Sequence, residues 1–300
     1  MGFVSVTAYG KQVAAKLRAE LVTKNSLVFN EDYRGDAAQA ASVMIPRTAA
    51  TDSVGSYDKT NLGNNAVSYD SNEWINAPMN NDRTINKYID KRNMATVTYD
   101  EIQDELDRAA YSLALDLDTN GLKTLVFAAQ GKDIAGNAFA STDPRYQEAG
   151  VDTAATSDFY ADILKTKRGL KANKSNPKYL IVNEDGEEDI FATGSKIIRD
   201  GDLSQKLIEE GVIAKIAGLY VLVTNNMPKS ADATPEVVKA VISAKEYATR
   251  AMAWVVEPYA INADGDANAI GGVFVKGRLV YRHEVTQPKA VGIVTVTPSN

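Results

Sequence analysis

The chain has 300 residues, 44% of them apolar, a net charge of −6, no cysteine and one histidine, His283. That length and apolar content allow one or two domains with a sizeable core. The acidic balance excludes nucleic-acid recognition by bulk charge, and the missing cysteines exclude disulfide frameworks, thiol catalysis and cysteine-ligated zinc.

Residues 8–24 predict an amphipathic helix, with Val13, Leu17 and Leu21 on one stripe and basic residues elsewhere. Such a helix at a terminus must pack on its own domain or on a neighbouring subunit. A short strand follows at 42–46 and ends at Pro46. Residues 47–85 are dense in Asn, Asp, Ser and Gly, too polar for a core of their own, yet "AVSY" and "EWINA" are strand-like. Two readings fit: a disordered surface loop, or a long β-hairpin that leaves the body and is ordered by a partner.

The best helix start lies at Thr98, with Glu101 three residues on as a capping box and Val97 and Ile102 as a hydrophobic staple. Ile102, Leu106, Ala109, Leu113 and Leu117 then form one stripe, and a helix over 98–118 is expected to be a spine about 30 Å long. Asn120-Gly121 reads as its left-handed end. A loop-rich region runs to about 155. Then come a helix with a Ser/Thr/Asp cap near 156–158, a buried strand over 177–183, a helix ending at Gly194 and a short helical or turn segment at 203–211.

The stretch 211–228, "GVIAKIAGLYVLVTNNMP", predicts two strands joined at Gly218, where a side chain would obstruct the turn. A further helix is expected from Thr234 and Pro235 through 255. Strands punctuated by Gly277 and Pro288 close the chain. The class is α+β or mixed α/β.

Few motifs offer chemistry. Asp116, Asp118, Asn120 and Gly121 match the front of a calcium loop, but its twelfth position is Phe127 rather than a bidentate acid. Residues 262–268 read as an acidic loop tip, and 131–137 resembles a phosphate loop in composition alone. His283 sits in a strand pattern between Arg282 and Glu284 and is expected at the surface. No catalytic, cofactor-binding or metal residue is assigned, and no cofactor. No signal peptide is recognised. The longest strongly apolar run, 217–223, is far short of the ~20 residues of a membrane helix, so a soluble protein made in the cytoplasm is expected.

The order of parts is more telling than any one of them. A basic amphipathic arm precedes "VMIPR" and a long polar hairpin. "INKYIDKRNMATVTYDEIQDELD" leads into the spine helix, and "YLIVN", 211–228 and "VKGRLVYRHEVTQPKAV" follow. This arrangement resembles the major capsid proteins of tailed bacteriophages, the Hong Kong 97-type fold, most specifically over 86–118 and 211–228. The resemblance implies an α+β capsid fold with an N-terminal arm (1–35), a first peripheral strand (36–46) and an extended loop (47–85). A peripheral domain with the spine helix (86–149), an axial domain (150–270) and C-terminal strands (271–300) complete it.

It implies self-assembly into hexamers and pentamers of an icosahedral or prolate shell around double-stranded DNA, with the basic arm able to face that DNA. A portal protein, decoration proteins and no membrane are implied too. The absence of a long helical segment ahead of the arm implies a separate scaffolding protein or a cleaved precursor. Lys59 stands in the loop from which some relatives cross-link. The location would be the virion, with assembly in the host cytoplasm. An encapsulin-type nanocompartment shell is the same-fold alternative.

Overall fold

The computed structural model describes residues 27–32, 41–47, 59–60, 73–90, 101–192, 212–231, 236–263 and 271–296. The expected arm helix at 8–24, the capping box at Thr98, Gly194, the 203–211 segment and most of 262–268 lie outside them.

Three helices and eleven strands are described: β1 (Ser42–Arg47), β2 (Glu73–Pro78), β3 (Asn81–Asp90), α1 (Glu101–Ala129), β4 (Val151–Ala154), α2 (Phe159–Ala172), β5 (Tyr179–Val182), α3 (Glu184–Phe191), β6 (Ala214–Ile216), β7 (Leu219–Val223), β8 (Val237–Ser243), β9 (Ala248–Asn262), β10 (Gly272–Val285) and β11 (Gly292–Val296). They build a two-stranded ribbon β1-β2, a three-stranded sheet β3-β10-β9 and a six-stranded sheet β4-β11-β8-β5-β7-β6. The expected domain extent 150–270 takes in β9, which pairs with β10 in the three-stranded sheet, whereas β11 near the C-terminus pairs with β8 and β4 in the larger one.

Helix α1 spans 29 residues, about 43 Å. Its N-terminal half buries Leu106, Ala110, Leu113 and Leu117 against Ile89, Met252, Val275, Leu279 and Tyr281 of the three-stranded sheet. Its C-terminal half buries Leu122, Leu125, Val126 and Ala129 against Tyr179, Ile181, Leu222, Val241 and Ile293 of the six-stranded sheet. A helix apolar nearly all round must be enclosed, and residues 121–129 are buried except for the half-buried Lys123. The other face of the large sheet is covered by Phe159, Ile163 and Leu170 of α2 and Ile190 of α3.

The expected helix end at Asn120-Gly121 is therefore overturned. The Asn120 side-chain amide is not free to close a turn; it donates to the Asp116 carbonyl and to the Tyr281 hydroxyl, both at 2.8 Å. Glycine in a helix costs about 1 kcal/mol, less than the core burial that continuing the helix secures on both sides.

The helix expected over 234–255 is overturned as well. Val238 and Val241 face the α1 core, while Ala240 and Ile242 face the α2 core. A strand buried on both faces reads as a continuous apolar run, which periodicity cannot tell from a buried helix. The β-branched residues Val237, Val238, Val241 and Ile242 favour the strand. In β9, Ala251 and Ala253 pack under the ribbon while Met252 and Trp254 turn to α1.

Other expectations hold. Asp158 caps α2 by accepting from the Ala161 amide. β5 is buried throughout. β6 and β7 pair antiparallel across Ala217 (φ 51°) and Gly218 (φ 74°). At Gly218 a Cβ would meet only the Lys167 ammonium at 3.6 Å, so glycine serves the left-handed backbone rather than clearance. Gly277 does not interrupt β10; the β9–β10 register shifts around it. Space does require glycine at Gly150, whose Cβ would lie 2.0 Å from the Val291 carbonyl oxygen.

Because one helix serves two cores, both sheets are expected to unfold together. Leu106→Asp should abolish folding, since an unpaired buried carboxylate costs several kcal/mol. Leu117→Ala and Leu125→Ala, one in each core, should each cost about 2–5 kcal/mol. Thermal melts with hydrogen exchange read separately in β10 and β5 check this; a three-stranded sheet that opens alone in Leu117→Ala would contradict the shared-helix account.

Candidate functional site

The calcium-like residues do not converge on an ion. Asp116 accepts from Arg83 at 2.7 Å and from the Tyr281 hydroxyl at 2.5 Å, while Asp118, buried, accepts from Asn226 at 3.2 Å. They lie on α1 and clamp it to β3, β10 and the segment after β7. Residues 131–137 form a turn in which the Asp133 carboxylate accepts from the Ala135 and Asn137 amides. Those two backbone donors are thus occupied by the chain itself. Among the described residues no cluster of three metal-ligating side chains occurs, and no helix is long and apolar enough to cross a membrane.

His283 is not at the surface. It is fully buried, its ring 4.9 Å from Phe29 and 5.5 Å from Tyr281, and neither nitrogen has a hydrogen-bond partner. Its flanking residues misled the sequence reading. Arg282 is drawn in by pairing with Glu284, and Glu284 by pairing with Arg145 as well, so charged neighbours do not mark a solvent face. A ring sealed from solvent has no route to a substrate. Burial, then the Arg250 and Arg282 charges, hold it well below its ordinary value of 6.5.

Around it sits a charged node that the sequence did not announce. Arg145 is 5% exposed and donates to Glu284 at 2.6 Å, to Asp143 at 2.8 Å and to the Val285 carbonyl at 3.0 Å. Arg47, at the end of β1, donates to Glu148 at 2.6 Å and to the Pro144 carbonyl at 2.5 Å; Lys289 approaches Glu148 at 3.1 Å. Burial pushes Asp143 and Glu148 up, but bonds to Arg145 and to Arg47 with Lys289 outweigh it and hold both below the usual carboxylate range. The Arg47–Glu148 contact spans 101 residues of chain, and no local pattern encodes it.

What the molecule presents outward is surface. The ribbon turns Val43, Ile45, Ile75 and Ala77 onto Ala251 and Ala253, and leaves Met44 and Trp74 about half exposed on its other side. Beyond Arg47 and Glu73 the connecting chain is described only at Lys59 and Thr60, both exposed. A groove of about 560 Å³ runs between β3 and α1, floored by Ile85, Ala109 and Leu113. The ion pairs Lys87–Glu105 and Arg83–Asp116 stand at its rim.

No protein-family model and no curated protein matches the sequence. Solved structures do. The capsid structure of the cyanophage P-SCSP1u aligns with a TM-score of 0.60 at 15% identity, covering 87% of this chain and 85% of that one. The mature capsid asymmetric unit of bacteriophage PhiM1 aligns with a TM-score of 0.58 at 13% identity, over 91% and 89% of the two chains. The chain has a phage-capsid fold. A structure from Mycobacterium phage Che8 agrees, with a TM-score of 0.60 at 19% identity over 89% and 88%. The capsid fold thus accounts for the order of elements across almost the whole chain.

Acid should loosen this capsid fold in two steps. Above pH 6.5 His283 is neutral folded or unfolded, and its contribution is intact. Below 6.5 the unfolded chain takes up a proton that the folded chain refuses, so stability falls with pH. The depressed carboxylates Asp143 and Glu148 add a second loss at lower pH, as protonation reaches their folded values. Urea midpoints are expected to fall between about pH 7 and 5.5 in the wild type. His283→Phe, which keeps a ring against Phe29, should flatten that window; an equal slope in both proteins would assign the loss elsewhere.

Proposed function

We propose that this protein is the major capsid protein of a tailed bacteriophage. It would assemble into hexamers and pentamers of an icosahedral or prolate shell that encloses double-stranded DNA. The observation that carries the reading is the likeness to capsid subunits over nearly the full length of both chains. The role is structural rather than enzymatic, in keeping with charged groups bound up in folding contacts.

In this reading the six-stranded sheet with α2 and α3 is the axial domain. The three-stranded sheet with the first half of α1 is the peripheral domain. The ribbon β1–β2 is the base of an extended loop that reaches over a neighbouring subunit, and residues 1–35 are the N-terminal arm. The half-exposed Met44 and Trp74 fit a surface covered in an assembly. Partners are further copies of the chain, a scaffolding protein during assembly in the host cytoplasm, a portal protein at one vertex, decoration proteins, and DNA held non-specifically. Standard interfaces bury ~1,600 Å², and several of them per subunit in a closed shell reinforce one another.

Negative-stain microscopy of the purified protein is expected to show shells, tubes or hexamers. Removing residues 1–24 should lower particle yield while circular dichroism stays that of a folded subunit. A protein that remains monomeric at high concentration, alone and with a co-expressed scaffolding protein, would overturn the reading.

A further inference from the structure

Two helices on one face of the six-stranded sheet carry opposite, unneutralised charge. On α2, Leu164, Arg168 and Lys171 stand at i, i+4 and i+7, with Lys165 beside them; all are exposed. On α3, Glu184, Glu187, Glu188 and Phe191 stand at i, i+3, i+4 and i+7, exposed except for the half-buried Glu187. None of these charged side chains has an ion-pair partner among the described residues, although Lys239 and Asp189 nearby do pair, at 2.5 Å. Each stripe has one large exposed apolar residue at one end: Leu164 is 41% exposed and Phe191 47%.

The stripes match each other in length and order. Each covers seven residue steps, about 10.5 Å. The apolar residue lies at the N-terminal end on α2 and at the C-terminal end on α3. Laid antiparallel, Leu164 meets Phe191, Arg168 meets Glu187 and Glu188, and Lys171 meets Glu184. The helix dipoles then also oppose. Both stripes belong to the same chain, and their charged side chains have no ion-pair partner among its described residues, which leaves them to be matched by another copy. Because the two surfaces differ, the contact is head-to-tail, the kind that closes rings.

We propose that α2 of one subunit docks antiparallel on α3 of the next through these stripes, a contact between neighbouring copies within a ring. This rests on the coat-protein reading above and specifies one of its interfaces. Charge complementarity of this kind sets partner, register and association rate more than raw affinity.

The absence of cysteine makes the register directly measurable. Under mild oxidation, Leu164→Cys with Phe191→Cys, and Lys171→Cys with Glu184→Cys, should give disulfide-linked ladders on non-reducing gels. Leu164→Cys with Glu184→Cys should not. In parallel, Arg168→Glu with Lys171→Glu, and Glu184→Lys with Glu188→Lys, should each lower particle yield about tenfold, and all four changes together should largely restore it. The corresponding Gln variants, which leave helix folding least disturbed, should show the same ranking if a reversal misfolds.

Wild-type particles with no ladders from either matched pair, or no rescue by the combined reversal, would overturn the contact and leave the coat-protein reading intact. Wild-type protein that forms no particles would remove both. Arg168→Glu with Lys171→Glu that assembles normally but loses co-purifying nucleic acid would reassign the stripe to the genome and overturn the proposal.

Discussion

Helix α1 is the constraint on which the rest depends. Two sheets of different size have each an apolar face to bury, and one rod lies against both, its first half on one and its second on the other. A rod of about 43 Å curves only gently unless its backbone hydrogen-bond ladder is interrupted. The sheets are therefore held at a fixed relation by a single covalent element. That explains why Asn120-Gly121, a sequence built for a helix end, is kept helical by bonds to Asp116 and Tyr281.

Around the second half of that helix the protein places much of its buried charge. Arg145, Glu284 and Arg250, with the neutral His283 beside them, are all nearly or wholly inaccessible. Removing one partner from such a set strands the other in low dielectric. The node ties the loop after α1 to the end of β10, while Arg47 ties the ribbon to the same loop. Charge here is used for fastening, which leaves uncommitted charge on the outward stripes of α2 and α3 as a separate resource.

That division would suit the shell subunit proposed above. In the proposed assembly a rigid interior would let each copy present the same surfaces at the same spacing. Exposed apolar side chains stand on the ribbon (Met44, Trp74), on the helices (Tyr111, Leu164, Phe191) and on β9 (Val255, Val256, Ile261). A chain with no cysteine must reach this rigidity by packing and ion pairs alone.

Much of this was legible from sequence because it is local. The cap at Asp158, the turn at Gly218 and the stripe from Leu106 to Leu117 follow from periodicity and backbone chemistry within a few residues. The resemblance to capsid proteins likewise rests on the order of such pieces. Tertiary structure decided the rest. Residues 237–243 and 248–254 are strands because both faces of β8, and the alternating sides of β9, have something to bury against, which no window of sequence contains. His283 is buried because Phe29 and Tyr281 pack on it, although its sequence neighbours are charged. The Arg145–Glu284 pair joins positions 139 residues apart, and only the folded chain brings them within reach.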